Sequence, residues 1–158
     1  PIKNGRVEDD SKIRAYLPTV LYLLNKNCKI VLLTHLGRPH GKRVKELRVN
    51  PISEKLKELL PKENIIKLDD CLGKDVKQKI MEGEEKYIFL LENLRFYKQE
   101  EKNNPAFAHS IADLGDVYVN DAFSNSHRKH ASMHAITHFL PSLSGIQLEK
   151  EILYLIQV

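Results

Sequence analysis

Two hydrophobic periods alternate along the whole of this 158-residue sequence, and no other feature restricts the fold as much. Residues 29–34 (KIVLLT), 64–68 (NIIKL), 86–91 (KYIFLL) and 116–119 (DVYV) are short apolar runs, the form of strands buried on both faces. Between and around them apolar residues recur at helical spacing: Leu17, Val20, Leu21 and Leu24; Ile52, Leu56, Leu59 and Leu60; Val76, Ile80 and Met81; Phe107, Ile111 and Leu114. A helix is expected to start near Asp10 and Ser11, Pro18 predicts a break or restart inside it, and Asn104-Pro105 reads as an N-cap followed by a first helical residue. Strand alternating with helix predicts right-handed βαβ units, hence an α/β fold with a parallel sheet and helices on both faces. The opening PIKNGRVEDD is a turn-rich connection leading directly into a helix, so a preceding strand is expected to be missing.

Composition then narrows the function classes. The length fits one domain, and 42% hydrophobic residues are enough for a core. The net charge of +4 comes from 25 Lys and Arg interleaved with 21 Asp and Glu, which argues against bulk nucleic-acid binding. Cys28 and Cys71 are far apart, match no CxxC or zinc spacing, and accompany no signal peptide, transmembrane run or glycosylation sequon. A cytoplasmic protein with structural thiols and no membrane partner is expected.

In open parallel sheets, ligands bind beyond the carboxyl ends of the strands. There the first run delivers His35-Leu36-Gly37-Arg38 and the third delivers Glu92-Asn93-Leu94-Arg95. The fourth delivers Asn120-Asp121 and then AFSNSHRKH, with His127 and Arg128. Three strands thus bring an arginine each to one rim, which suits a small, multiply charged anion such as a phosphorylated carboxylic acid. The segment VLLTHLGRPHGKR is not a nucleotide P-loop: three residues rather than four separate Gly37 from Gly41, and Arg43 stands where the magnesium-binding Ser or Thr belongs. His40, Lys42, Arg43 and Arg48, and Arg14 taken alone, read as exposed surface charges.

A rival constellation is His130, His134 and His138, spaced by four as a helical metal face requires. No Glu, Asp or Cys completes it and HFLPSLSG soon ends any helix, so packing and surface roles are the stronger reading. No GxSxG is present to support a nucleophilic serine.

The ordered motifs THLGRP, LLENLRF, EEKNNPAFA, LGDVYVNDAFSNSHRKHAS and LEKEI, together with EDDSKIRAYLPTVLYLL and LDDCLG, closely resemble the N-terminal domain of the phosphoglycerate kinase family over essentially the whole chain. The resemblance implies a Rossmann-like α/β domain, with residues 1–158 forming a partial substrate-binding domain that lacks its first strand and its C-terminal nucleotide-binding partner domain. It implies an enzyme of glycolysis that reversibly moves a phosphoryl group between ATP and 3-phosphoglycerate, giving 1,3-bisphosphoglycerate and ADP. By resemblance Arg14, His35, Leu36, Gly37, Arg38, Arg95, His127 and Arg128 bind substrate. Arg38, Arg95 and Arg128 would hold its phosphate, and Arg14 would be the catalytic arginine facing the transferring group. Magnesium with ATP or ADP would belong to the absent domain, so no cofactor or metal is expected on this chain, and the full enzyme would be monomeric. Two departures stand out. The family's RVDFNVP segment, with its substrate contacts, is not here, and Ser124, Asn125, Ser126 and Lys129 depart from the usual DAFGTAHRAH. The isolated chain is expected to lack kinase activity, and the alternative function is a non-catalytic module that binds phosphate anions.

Overall fold

The computed structural model describes residues 2–3 and 5–157. The opening segment is a hairpin rather than a plain connection: β1 (Ile2–Lys3) and β2 (Arg6–Val7) pair antiparallel, with Ile2 opposite Val7. The dipeptide Asn4-Gly5 is the sequence signal for it.

Helix α1 (Ser11–Asn25) then runs straight through Pro18, where a break was predicted. Ile13 and Leu17 before the proline, and Val20 and Leu24 after it, all pack into the core. Burial on both sides of Pro18 outweighs the roughly 3 kcal/mol that an interior proline costs. Leu21, expected on the same face, is 42% exposed. Next come β3 (Ile30–Leu32), α2 (Asn50–Leu59), β4 (Asn64–Lys67), α3 (Lys74–Glu82) and β5 (Tyr87–Leu90). They are followed by the short α4 (Lys98–Glu101), then α5 (Pro105–Ala112), β6 (Tyr118–Asn120), β7 (Ser142–Ser144) and α6 (Ile146–Ile156). The Asn104 side chain caps α5 as expected, accepting the Phe107 amide at 2.9 Å.

Strands β3, β5 and β4 form a parallel sheet in that order, with Ile88 of β5 opposite Ile30 on one side and Ile65 on the other. Period-two alternation along β5 shows how helices come to cover both faces. Ile88 packs with Val20 and Leu24 of α1, and Leu90 with Leu56 of α2. Phe89 and Leu91 pack the other way, with Val76 and Ile80 of α3 and Phe107 and Ile111 of α5. Met81 does not share the buried face of α3 and is 70% exposed.

The fourth predicted strand does not extend this sheet. β6 pairs parallel with β7, Tyr118 opposite Ser142, in a separate two-stranded sheet. β7 reads Ser-Leu-Ser and is exposed throughout, so it carries no apolar alternation for a sequence reading to find. Among the described residues, β3 pairs only with β5 and β6 only with β7. A continuous sheet from β3 to β6 would need backbone partners that these residues do not supply. No helix among the described residues is long and apolar enough to cross a membrane.

Candidate anion-binding site

The loops after β3 and β5 are held together by backbone groups and two side chains, those of Asn93 and Arg95. Asn93, fully buried, donates its amide to the carbonyls of Leu36 (2.7 Å) and Leu47 (2.8 Å), while its oxygen accepts the Arg95 amide at 3.1 Å. Arg95 Nη1 donates to the Gly37 carbonyl at 2.9 Å, and the Gly41 amide returns a bond to the Arg95 carbonyl at 3.1 Å. Gly37 and Gly41 have φ of 64° and 75°. A Cβ at Gly37 would lie 2.8 Å from the Leu47 side chain, and one at Gly41 would lie 2.0 Å from that of Lys98. Both glycines therefore serve a close approach of the loop to its neighbours.

The chemistry of the site comes from cations whose hydrogen-bond donors the fold leaves largely unmet. Arg95 is 4% exposed, yet its Nε and Nη2 have no hydrogen-bond partner, and neither has the buried Nε of Arg128. Glu101 Oε1 stands 3.9 Å from Arg95 Nε, too far for a hydrogen bond. Burial, and then the charges of Arg128 and Arg38, pull the Arg95 pKa below its ordinary value. Burial drives His35 down to about 4, with the charges of Arg95, Arg128, His130 and Lys12 adding to the shift, so its imidazole is neutral at pH 7. His130 is lowered for the same reasons, burial first and Arg95 next. Each buried N–H left unpaired costs about 1–3 kcal/mol, and two adjacent guanidinium groups repel each other besides. An anion with several oxygens relieves both penalties at once.

Arg95 thus feels the charges of Arg128 and Arg38, and His35 those of Arg95 and Arg128, across three loops. Leu36 and Gly37 take part through their carbonyls, which accept from Asn93 and Arg95. Arg38 and His127 are exposed. Arg14 lies on the exposed side of α1, with its Nε 2.9 Å from Asp10 Oδ1. Arg43 and Arg48, read as exposed surface charges, are both ion-paired, Arg43 exposed and Arg48 half-buried. Arg43 pairs with Asp70, which also accepts the Tyr97 hydroxyl at 2.6 Å, while Arg48 binds Glu92 (2.9 Å) and Asp69 (2.5 Å). The carboxylates of LDDCLG, placed after β4, explain both pairings. The three spaced histidines do not share a helix: only a 3-10 turn spans Ala135–His138, and His134 faces His138 at 5.3 Å between ring centroids. His130 lies beside Glu100 instead, its Nδ1 3.8 Å from Oε1. Among the described residues no group of three potential ligands could hold a metal ion. Sequence reasoning placed Asn93 on the rim without a role and took His130 only as part of the histidine set, so it missed Asn93 as the link between the loops.

The family model described as phosphoglycerate kinase matches residues 1–158. The chain belongs to the phosphoglycerate kinase family. It is 47% identical over 152 residues to the phosphoglycerate kinase of Dictyoglomus turgidum, covering 96% of this chain and 38% of the relative. It is 51% identical over 151 residues to that of Desulforapulum autotrophicum, covering 95% and 38%. Solved phosphoglycerate kinase structures from Coxiella burnetii and Pyrococcus horikoshii superpose with TM-scores of 0.82 and 0.85, both at 31% identity. They cover 96% and 99% of this chain, and 38% and 40% of theirs. The chain therefore spans about two fifths of the length of the family members it matches.

Proposed function

We propose that this chain is the substrate-binding part of a phosphoglycerate kinase and holds 3-phosphoglycerate on the rim formed by His35, Leu36, Gly37, Arg38, Arg95, His127 and Arg128. The three buried guanidinium nitrogens without partners carry the reading, because they are donors positioned before any acceptor arrives. The substrate phosphate supplies acceptor oxygens and negative charge to Arg95 and Arg128, and exposed Arg38 closes over it from the loop after β3. In transfer a carboxylate oxygen of the substrate forms a bond to the terminal phosphorus of ATP as the bond from that phosphorus to the ADP oxygen breaks, with no proton exchanged. Arginines suffice on this side, since the step needs positioning and charge neutralisation but no covalent protein intermediate. Arg14 faces the transferring group once its exposed pair with Asp10 is exchanged for the substrate. Magnesium nucleotide binds to a part of the enzyme outside this chain, and this chain alone does not turn over.

Calorimetric titration of the chain with 3-phosphoglycerate and, separately, with magnesium ATP tests this, each repeated on Arg38→Ala. Saturable binding of phosphoglycerate alone, lost in the variant, is the expected result; a folded chain that binds neither ligand overturns it. The chain with ATP and 3-phosphoglycerate should show no turnover above that of Arg14→Ala.

A further inference from the structure

The motif EEKNNPAFA, whose Glu101 stands 3.9 Å from Arg95, also hydrogen-bonds the segment that follows Arg128. Glu100, 3% exposed, accepts the Ser132 amide on Oε2 at 3.0 Å and the Ser132 hydroxyl on Oε1 at 2.6 Å. Its own carbonyl accepts the Ala131 amide at 2.9 Å. Three residues on, Asn103 accepts the Ala135 amide at 3.0 Å, and its Nδ2 lies 3.3 Å from His134 Nδ1. Asn103 holds a φ of 50°, a left-handed conformation that asparagine tolerates.

Glu100 of α4 and Asn103 just after it thus grip residues 131–135, and Tyr97, which precedes α4, packs its ring tilted against core Phe107 at 5.1 Å. The loop needs such an anchor. Between β6 and residue 131 its backbone bonds are short-range turns, the last joining the Arg128 amide to the Asn125 carbonyl. The charges of Arg95 and Arg128 repel each other, and among the described residues none of the backbone bonds of residues 121–130 reaches the rim.

We propose that Glu100, supported by Asn103, is a positioning residue: it clasps residues 131–135 so that Arg128 is held beside Arg95 against their mutual repulsion, and the rim is thereby formed before an anion binds. The purpose given to the clasp rests on the anion-binding reading above; the clasp itself does not. Glu100 sits five residues after Arg95 on the same connected segment, so one short stretch supplies both an anion-binding donor and the anchor for its neighbour. Tethering the loop removes the ordering entropy that binding would otherwise have to meet.

The test uses the full 158-residue chain as wild type, Glu100→Ala and Glu100→Gln. Backbone amide exchange by NMR and titration with 3-phosphoglycerate are the readouts. Glutamine keeps an acceptor for the Ser132 amide and a polar group for its hydroxyl. In Glu100→Ala the Ser132 and Ala135 amides should exchange at least about tenfold faster while Phe89 and Leu90 are unchanged, and affinity should fall about tenfold. Glu100→Gln should restore most of both. Unchanged exchange at Ser132 overturns the clasp, whether or not the chain binds phosphoglycerate. Faster exchange with undiminished affinity overturns its role at the rim. A wild-type chain that binds no phosphoglycerate overturns the anion-site reading and leaves the exchange comparison to decide the clasp. Should Glu100→Ala not fold, Ser132→Ala removes the hydroxyl bond alone, and the same readouts decide.

Discussion

Glu92 and Arg95 are three residues apart on the turn after β5, both are buried, and the fold treats their charges in opposite ways. Glu92 is completely partnered. It accepts the amides of Val49 (3.0 Å) and Asn93 (2.9 Å), Arg48 Nε (2.9 Å) and Lys67 Nζ (2.7 Å). Burial alone raises its pKa, but the bonds from Lys67, Asn93 and Val49 more than offset this, and the net shift is downward. Arg95 has one bond, to the Gly37 carbonyl, and two nitrogens with none. A buried charge whose every lone pair is met holds the protein together; a buried charge left short of partners waits for a ligand.

The largest effect expected is from Glu92→Ala, which strands two buried amides and leaves Lys67 and half-buried Arg48 with exposed Asp69 as their carboxylate partner. Urea unfolding should show a loss of about 3–5 kcal/mol. The converse change, Arg95→Met, removes unpaired donors from a buried position, so stability should stay within about 1 kcal/mol of wild type. Phosphoglycerate affinity should nevertheless fall roughly 10–150-fold, the equivalent of one or more lost bonds to a charged group. If Arg95→Met unfolds the chain as Glu92→Ala does, the distinction between the two regions collapses.

Acid should act on both regions in the same direction. Glu92 and His35 have folded pKa values below their ordinary ones, so each contributes stability that is present above its ordinary pKa and lost as pH falls through its folded value. For His35 the window runs from its ordinary 6.5 down to about 4. NMR titration of the free chain should find that imidazole neutral at pH 5, and saturating phosphoglycerate should move its pKa upward because the anion screens Arg95 and Arg128. No upward movement would place the ligand elsewhere. The smallest effect serves as a control: Lys57→Ala breaks an exposed pair with Glu54 (3.3 Å) and should change unfolding free energy by no more than about 0.5 kcal/mol.

The rim was legible in the sequence because strand ends can be read there. KIVLLT, KYIFLL and DVYV each end where a polar run begins, and a single parallel sheet would bring those ends to one edge, although β6 pairs with β7 apart from β3 and β5. That expectation singles out Arg38, Arg95 and Arg128. What the sequence did not give is how each arginine is treated. Arg43, Arg48, Arg95 and Arg128 look alike as letters, yet two are hydrogen-bonded to carboxylates from LDDCLG and the turn after β5, and two are not. Pairing depends on contacts across 27 or 44 residues, which periodicity does not encode. The same limit hid the clasp, since Glu100 and Ser132 are 32 residues apart.

Local chemistry therefore determined the elements. Apolar alternation specified strands β3 to β6 and their flanking helices, and Asn104-Pro105 specified the start of α5. Tertiary structure decided the rest. It kept α1 intact through Pro18, because packing on both sides outweighed a local penalty. It joined β6 to the unremarkable β7 instead of to the main sheet, because backbone pairing is indifferent to side chains once a partner is in place. It also left three guanidinium nitrogens unpaired in the interior, because whether a buried charge is satisfied depends on which distant residues reach it, and no single stretch of sequence carries that information.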